Sequence, residues 1–315
     1  RLATDQEVLG SNPSRRTKMV KFIINRNMLR LILGLSLIVK IGVVFILHGK
    51  GLTNEWSILF NNFEKFNLYT YYNLEGQNIP SSYMPPFYLI FIYINKFLSF
   101  NLFNFIYLLY LSQIVLSTVS VILFFKLCNY FFDQKISIIG ATIFAFFPLL
   151  VFSNALISSA CIQVFFYLLF INFSIEVIND KKKVNIILFS IVISCCLLLR
   201  GEFLIILFLS LFYIALNNIK KIKFVLVVLF FSLTTISPYL ARNYINTDTI
   251  HIVNVTGYAL WKGNNHLAKV EGFHNPLHPG ARENWPKVTE FANLYQQLNN
   301  LKISKKYEKQ RDQVF

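Results

Sequence analysis

Glu55 is the first residue able to do chemistry: a carboxylate in the first polar stretch after an apolar block, followed by the amphipathic Trp56. At a membrane edge such a group can take the proton of an attacking hydroxyl. Glu64 and Glu75 share the stretch but read as solvated loop acids. Arg242 emerges from another apolar block at headgroup depth, where a planar guanidinium fork matches phosphate oxygens. Arg200-Gly201-Glu202 is a charged turn between two apolar runs, with Glu202 able to orient Arg200. Gly263-Asn264-Asn265 adds backbone freedom and amides that can bond a sugar or phosphate. His251, His266, His274 and His278 cluster late in the chain, but Pro276 keeps His274 and His278 off one regular helix face. No metal site, tightly bound cofactor, nucleotide-binding loop or Ser-His-Asp grouping is indicated, although the use of a divalent ion stays open.

The elements that must hold these residues follow from composition. Of 315 residues, 55% are hydrophobic and only 14% charged, against roughly a quarter in soluble domains. The apolar residues fall in blocks of about twenty, the length that crosses a bilayer. A soluble enzyme, a disordered chain and a disulfide-stapled module are excluded. The four cysteines, Cys128, Cys161, Cys195 and Cys196, lie in or beside apolar blocks and suit core positions. The net charge of +15 reflects topology-setting loops rather than nucleic-acid binding.

Seven spans are expected, at 28–47, 102–125, 136–153, 158–178, 184–199, 203–217 and 224–240. Lys18, Lys21, Arg26 and Arg30 hold the N-terminus in the cytoplasm, and Lys126, Lys135, Lys181–Lys183, Lys220, Lys221 and Lys223 mark later cytoplasmic loops. Parity then requires 85–100 to begin and end on the outer side. It is short and opens with Pro85-Pro86, so a juxtamembrane or re-entrant helix is expected. The stretch from Lys183 to Asn217 gives about 34 residues for two crossings, or about 51 Å of helix, against about 60 Å of hydrocarbon. Their turn, Arg200–Glu202, is therefore expected at the outer interface. Residues 1–18 read as a leader translated from upstream of Met19, and the closing KKYEKQRDQVF reads as the cut end of a helix, making the chain a fragment. The expected divisions are this leader, a membrane domain over 19–240 with a first outer loop at 48–84, and an extracytoplasmic segment over 241–315.

Four motifs carry a resemblance. Pro85-Pro86-Phe87-Tyr88, Leu199-Arg200-Gly201-Glu202, Pro238-Tyr239-x-x-Arg242-Asn243-Tyr244 and Gly257-x-x-Leu260-Trp261-x-Gly263-Asn264-Asn265 occur in this order. They resemble the family 39-type membrane glycosyltransferases of the GT-C superfamily, relatives of protein O-mannosyltransferases and lipid A aminoarabinose transferases. The resemblance spans Met19 to about Gly272. It implies an all-α, polytopic, GT-C-like bundle in the cytoplasmic membrane with its active site outside. It further implies transfer of a sugar from a polyprenyl-phosphate donor to an acceptor hydroxyl with inversion, and an acidic base in the first loop, which falls on Glu55. Arg242 and Arg200 would bind the donor phosphate, and Glu202, Asn243, Tyr88, Trp261, Asn264 and Asn265 would support the site. The expected partners are the bilayer, the lipid-linked sugar and an acceptor of unspecified kind. The chain departs from the family pattern at Asn54-Glu55, where Asp or Asp-Glu is usual, at Gly201, where Pro is usual, and at Met84, where aminoarabinose transferases carry Lys. A Glu common after the third to fourth spans is replaced by Ile157-Ser158-Ser159-Ala160. The competing readings are a flippase-like lipid or polysaccharide transporter and a glycan polymerase or ligase. Paired, interrupted helices in two repeated halves would favour the transporter, and none is visible.

Overall fold

Apolar runs too long for a soluble core become helices because lipid leaves backbone groups no partner but each other. The computed structural model describes residues 13–49, 51–52, 54–74, 77–179, 185–217, 221–264, 297–298, 300–301 and 307–314. Helices Asn27–Leu47, Phe105–Phe131, Ala160–Ile178 and Ile222–Thr247 are long and apolar enough to cross a membrane, and a bent pair over 134–155 can supply a fifth crossing. The protein is an all-α, multi-pass membrane protein. Its contacts divide it into two units, residues 1–52 with 92–182, and residues 53–91 with 183–315.

The first unit contains α1 (Pro13–Leu47), α4 (Phe105–Phe131), α5 (Gln134–Phe146), α6 (Pro148–Phe152), a 3-10 turn (Ser153–Ala155) and α7 (Ala160–Ile178). Asn104 caps α4 by accepting from the Ile106 N–H, and Asp133 caps α5 by accepting from the Ile136 N–H. Ile32 of α1 shares a buried cluster with Val121, Ala141 and Ala145, while the Ser36 hydroxyl donates to the Ala145 carbonyl at 3.3 Å. One turn along α1 thus matches one turn along α5, so the two run parallel. Both oppose α4, whose Tyr110 hydroxyl accepts from the Gly49 N–H at 3.0 Å just beyond the end of α1. Helix α7 runs parallel to α4, with Asn172 donating to the Leu123 carbonyl and Lys126 paired with Glu176. The expected span 136–153 is not one straight helix. Pro148 breaks it, bending the pair by 48° after Phe147 takes an extended ψ of 120°.

Helix α3 (Phe87–Leu98), whose residues 87–91 belong to the second unit and 92–98 to the first, has twelve residues or about 18 Å, well short of a crossing. The expected loop 48–84 is more ordered than its polarity implied. It holds α2 (Asn54–Phe66), which buries Trp56, Leu59 and Phe60 along one stripe, and an antiparallel hairpin of β1 (Tyr72–Leu74) with β2 (Gln77–Ile79).

The second unit adds α8 (Ile186–Leu199), α9 (Phe203–Asn217) and α10 (Ile222–Thr247). Helices α8 and α9 have 14 and 15 residues, about 21–23 Å each, below the usual crossing length. Helices α8 and α10 are parallel, stitched by hydroxyls: Ser190 donates to the Val228 carbonyl at 3.2 Å and Ser194 to the Ser232 carbonyl at 3.3 Å. Small polar residues let membrane helices approach closely, each such bond contributing about 0.6 kcal/mol. Helix α10 was expected to leave the membrane near residue 240, yet it continues through Pro238 to Thr247 and ends at Asp248 in the left-handed region, φ 58°. Partners for the side chains of Arg242, Asn243 and Thr247 hold this extra length in place. Short α11 (Thr256–Asn264) and α12 (Tyr307–Val314) complete the unit.

Candidate functional site

Every expected site residue that the structure describes lies in the second unit. The C-terminal end of α10 forms a clasp on the first loop. Arg242 Nη1 donates to the Ser81 carbonyl at 2.6 Å and to Asn243 Oδ1 at 2.8 Å, and Nη2 donates to the Tyr69 carbonyl at 2.6 Å. Its guanidinium also sits over the Tyr69 ring, 5.2 Å from the centroid. Asn243 is fully buried, and its amide donates to the His251 carbonyl at 2.7 Å. Tyr239 reaches the Ile252 carbonyl at 3.2 Å. The residues expected to meet substrate thus make internal bonds, and a phosphate role for Arg242 competes with two backbone carbonyls.

The Arg200 turn docks on the segment after α10. A Cβ on Gly201 would lie 3.3 Å from Val253 Cγ2, so the side chain absent at this position is what allows the approach. The neighbouring Asn254 N–H donates to the Ser82 carbonyl at 3.2 Å. First loop, turn and post-α10 segment therefore converge, as the sequence suggests. Replacing Gly201 by Val forces Val253 aside and is expected to destabilise the protein by about 1–3 kcal/mol, read as a lower thermal midpoint in detergent, with Gly201→Ala much milder.

Two donors on these segments have no acceptor among the described residues. Arg200 Nε and Asn254 Nδ2 are buried and unbonded, and Asn254 is only 5% exposed. An unmet buried donor costs about 1–3 kcal/mol, so it demands a reason. Arg200 is the extended C-cap residue of α8, and Glu202 immediately precedes α9, its carbonyl accepting from the Ile205 N–H. No motif or spacing in the sequence marks Asn254 for this site.

Glu55 opens α2, where its charge favours the positive end of the helix. Trp56 beside it is buried edge-on against buried Tyr88 at 4.6 Å, making Tyr88 a packing residue. Tyr71 and Tyr83 stack across the hairpin base at 4.4 Å. Burial pushes the Tyr83 hydroxyl up to about 12, with the Tyr71 and Tyr258 hydroxyls and the Glu55 carboxylate adding to the rise while Arg311 opposes it. Tyr71 is raised by burial and by Glu55, against Arg311. Arg311 lies over the Tyr258 ring at 5.0 Å. Arg242 therefore grips residues 69 and 81, while the Glu55 charge acts on residues 71 and 83, two positions along the same paired segments. Arg311 sits in a segment that read only as a cut helix, so no signal singled it out.

A raised tyrosine favours the folded state while protonated. That contribution is intact below the ordinary value near 10 and is lost as pH climbs toward 12. Tyr83→Phe should keep the stack and flatten the loss of stability over that interval, measured by thermal unfolding alongside an ultraviolet tyrosinate titration.

Asn264 is exposed and donates to the Leu260 carbonyl at 2.7 Å, while Asn265, His266, His274, His278 and the side chain of Trp261 lie outside the described residues. Among the described residues no group of three or more His, Cys, Asp or Glu could hold a metal. Comparison with known protein families, curated proteins and solved structures finds no match for this chain.

Proposed function

We propose that the protein is a glycosyltransferase of the cytoplasmic membrane, acting on its outer face with a polyprenyl-phosphate-linked sugar. Seven crossings put the junction of α2, the Arg200 turn and the α10 end on that face, with α8 and α9 accommodated by local thinning of the bilayer or by their snorkelling ends. The observation that supports this reading is the convergence, within one unit, of an acid-bearing helix start with two guanidinium groups around residues 69–83 and 253–254.

In this reading Glu55 takes the proton of the acceptor hydroxyl as its oxygen attacks the anomeric carbon. The bond from that carbon to the phosphate oxygen breaks, configuration inverts, and prenyl phosphate leaves with the electron pair. Arg200 Nε and Asn254 Nδ2 donate to the phosphate, which satisfies both unmet donors and stabilises the charge that develops. Arg242 and Asn243 position the first loop instead of carrying the chemistry.

Thermal stabilisation of the detergent-solubilised protein by prenyl phosphate tests the phosphate site. Wild type should be stabilised, and Arg200→Ala and Asn254→Asp should each weaken binding about tenfold, the cost of one charge-assisted hydrogen bond. Undiminished binding in both variants contradicts the assignment.

A further inference from the structure

A second polar site lies in the first unit, at the ends of α4 and α7. Lys126, Asn129, Tyr130, Asn172, Glu176 and Asn179 line a cavity of about 280 Å³. Its walls carry both signs of charge. Lys126 Nζ meets Glu176 Oε1 at 2.6 Å, with the lysine side chain 55% and the glutamate 20% exposed. Tyr130 donates to Asn179 Oδ1 at 2.9 Å, and the Asn179 and Asn172 amides donate to carbonyls of their own helix, so these side chains are fixed in place.

Depth identifies what this cavity meets. Glu176 belongs to the last turn of α7, Asn179 caps it, and Tyr130, Phe131 and Phe132 at the end of α4 are exposed in the manner of an interfacial aromatic belt. At that level the surrounding medium is lipid headgroups. The Lys126–Glu176 bond uses one carboxylate oxygen and one ammonium proton, leaving each residue further capacity that no other described residue takes. An anionic headgroup would satisfy Lys126 but bring a like charge to Glu176. A choline headgroup carries both charges, yet its methylated nitrogen donates no hydrogen bond.

We propose that this cavity binds a zwitterionic phospholipid bearing a primary ammonium, of the phosphatidylethanolamine class. The lipid phosphate lies against Lys126, the ammonium donates to Glu176, and the acyl chains run along the exposed apolar sides of α4 and α7. The site is separate in residues and chemistry from the proposed transferase site, and its test needs no knowledge of the reaction.

The test uses full-length protein stripped of lipid and titrated in detergent with dioleoyl phosphatidylethanolamine, dioleoyl phosphatidylcholine or dioleoyl phosphatidylglycerol. Bound lipid is counted by native mass spectrometry and the unfolding midpoint is followed in parallel. The ethanolamine lipid should bind about tenfold tighter than the choline lipid, the worth of one charge-assisted hydrogen bond. Glu176→Gln should erase that preference while keeping residual phosphate-dependent binding, and Lys126→Gln should weaken all three lipids. Far-ultraviolet circular dichroism confirms that each variant is folded. Equal binding of the choline lipid, tighter binding of the glycerol lipid, or a preference that survives Glu176→Gln overturns the proposal.

Discussion

Glu55→Gln should lower sugar transfer by between about a hundredfold and ten-thousandfold while the protein inserts and unfolds as wild type does. The amide keeps the size and hydrogen-bonding reach of the carboxylate but cannot accept a proton. Glu55 is half-buried at the start of α2, and no ion pair to it occurs among the described residues, so its loss removes no structural bond of that kind. A useful internal signature accompanies the effect. The Glu55 charge helps raise the hydroxyls of Tyr71 and Tyr83, so neutralising it should let both titrate at slightly lower pH. A variant that loses activity and shows this tyrosinate shift has lost the charge alone. A variant that keeps full activity removes Glu55 from the chemistry.

Arg242 carries the second large expectation, of a different kind. Its guanidinium closes three hydrogen bonds at 2.6–2.8 Å, two of them to backbone carbonyls of the first loop. Arg242→Ala removes the guanidinium donor from the Ser81 carbonyl and Asn243 Oδ1 and leaves the Tyr69 carbonyl only the Ser81 N–H at 3.3 Å, and should destabilise the protein by about 3 kcal/mol. Arg242→Lys should recover little, because one ammonium on a flexible stem cannot reach residues 69 and 81 together as the planar fork does. Limited proteolysis should reveal cleavage within 67–84 in both variants but not in wild type. A mere phosphate ligand would give the reverse: normal stability, an intact loop and a partial rescue by Lys.

Much of the helical plan was legible because a twenty-residue apolar block has one structural outcome in lipid. Span boundaries were less so, since Pro148 and Pro238 look alike in sequence. The first terminates a helix because Phe147 adopts an extended backbone before it, and the second is carried inside α10, whose far end is anchored by Arg242, Asn243 and Thr247. That difference lies in tertiary partners, which hydropathy does not encode. Within the candidate site, residue type announced Glu55, Arg200 and Arg242 but not their division of labour. A guanidinium suits a phosphate and a pair of carbonyls equally well, and only the fold shows Arg242 bonded to Ser81 and Tyr69 while Arg200 Nε meets no acceptor among the described residues. Asn254 and Arg311 act through neighbours distant in sequence, so no local spacing marks them.

The most direct measurement follows a radiolabelled prenyl-phosphate sugar in vesicles containing the purified protein, with no ion or pH gradient, supplied with cell-envelope acceptors. The account predicts that free prenyl phosphate accumulates one for one with sugar attached to acceptor, and that Glu55→Gln stops both. Movement of intact lipid-linked sugar between leaflets without cleavage, unaffected by Glu55→Gln, would contradict it.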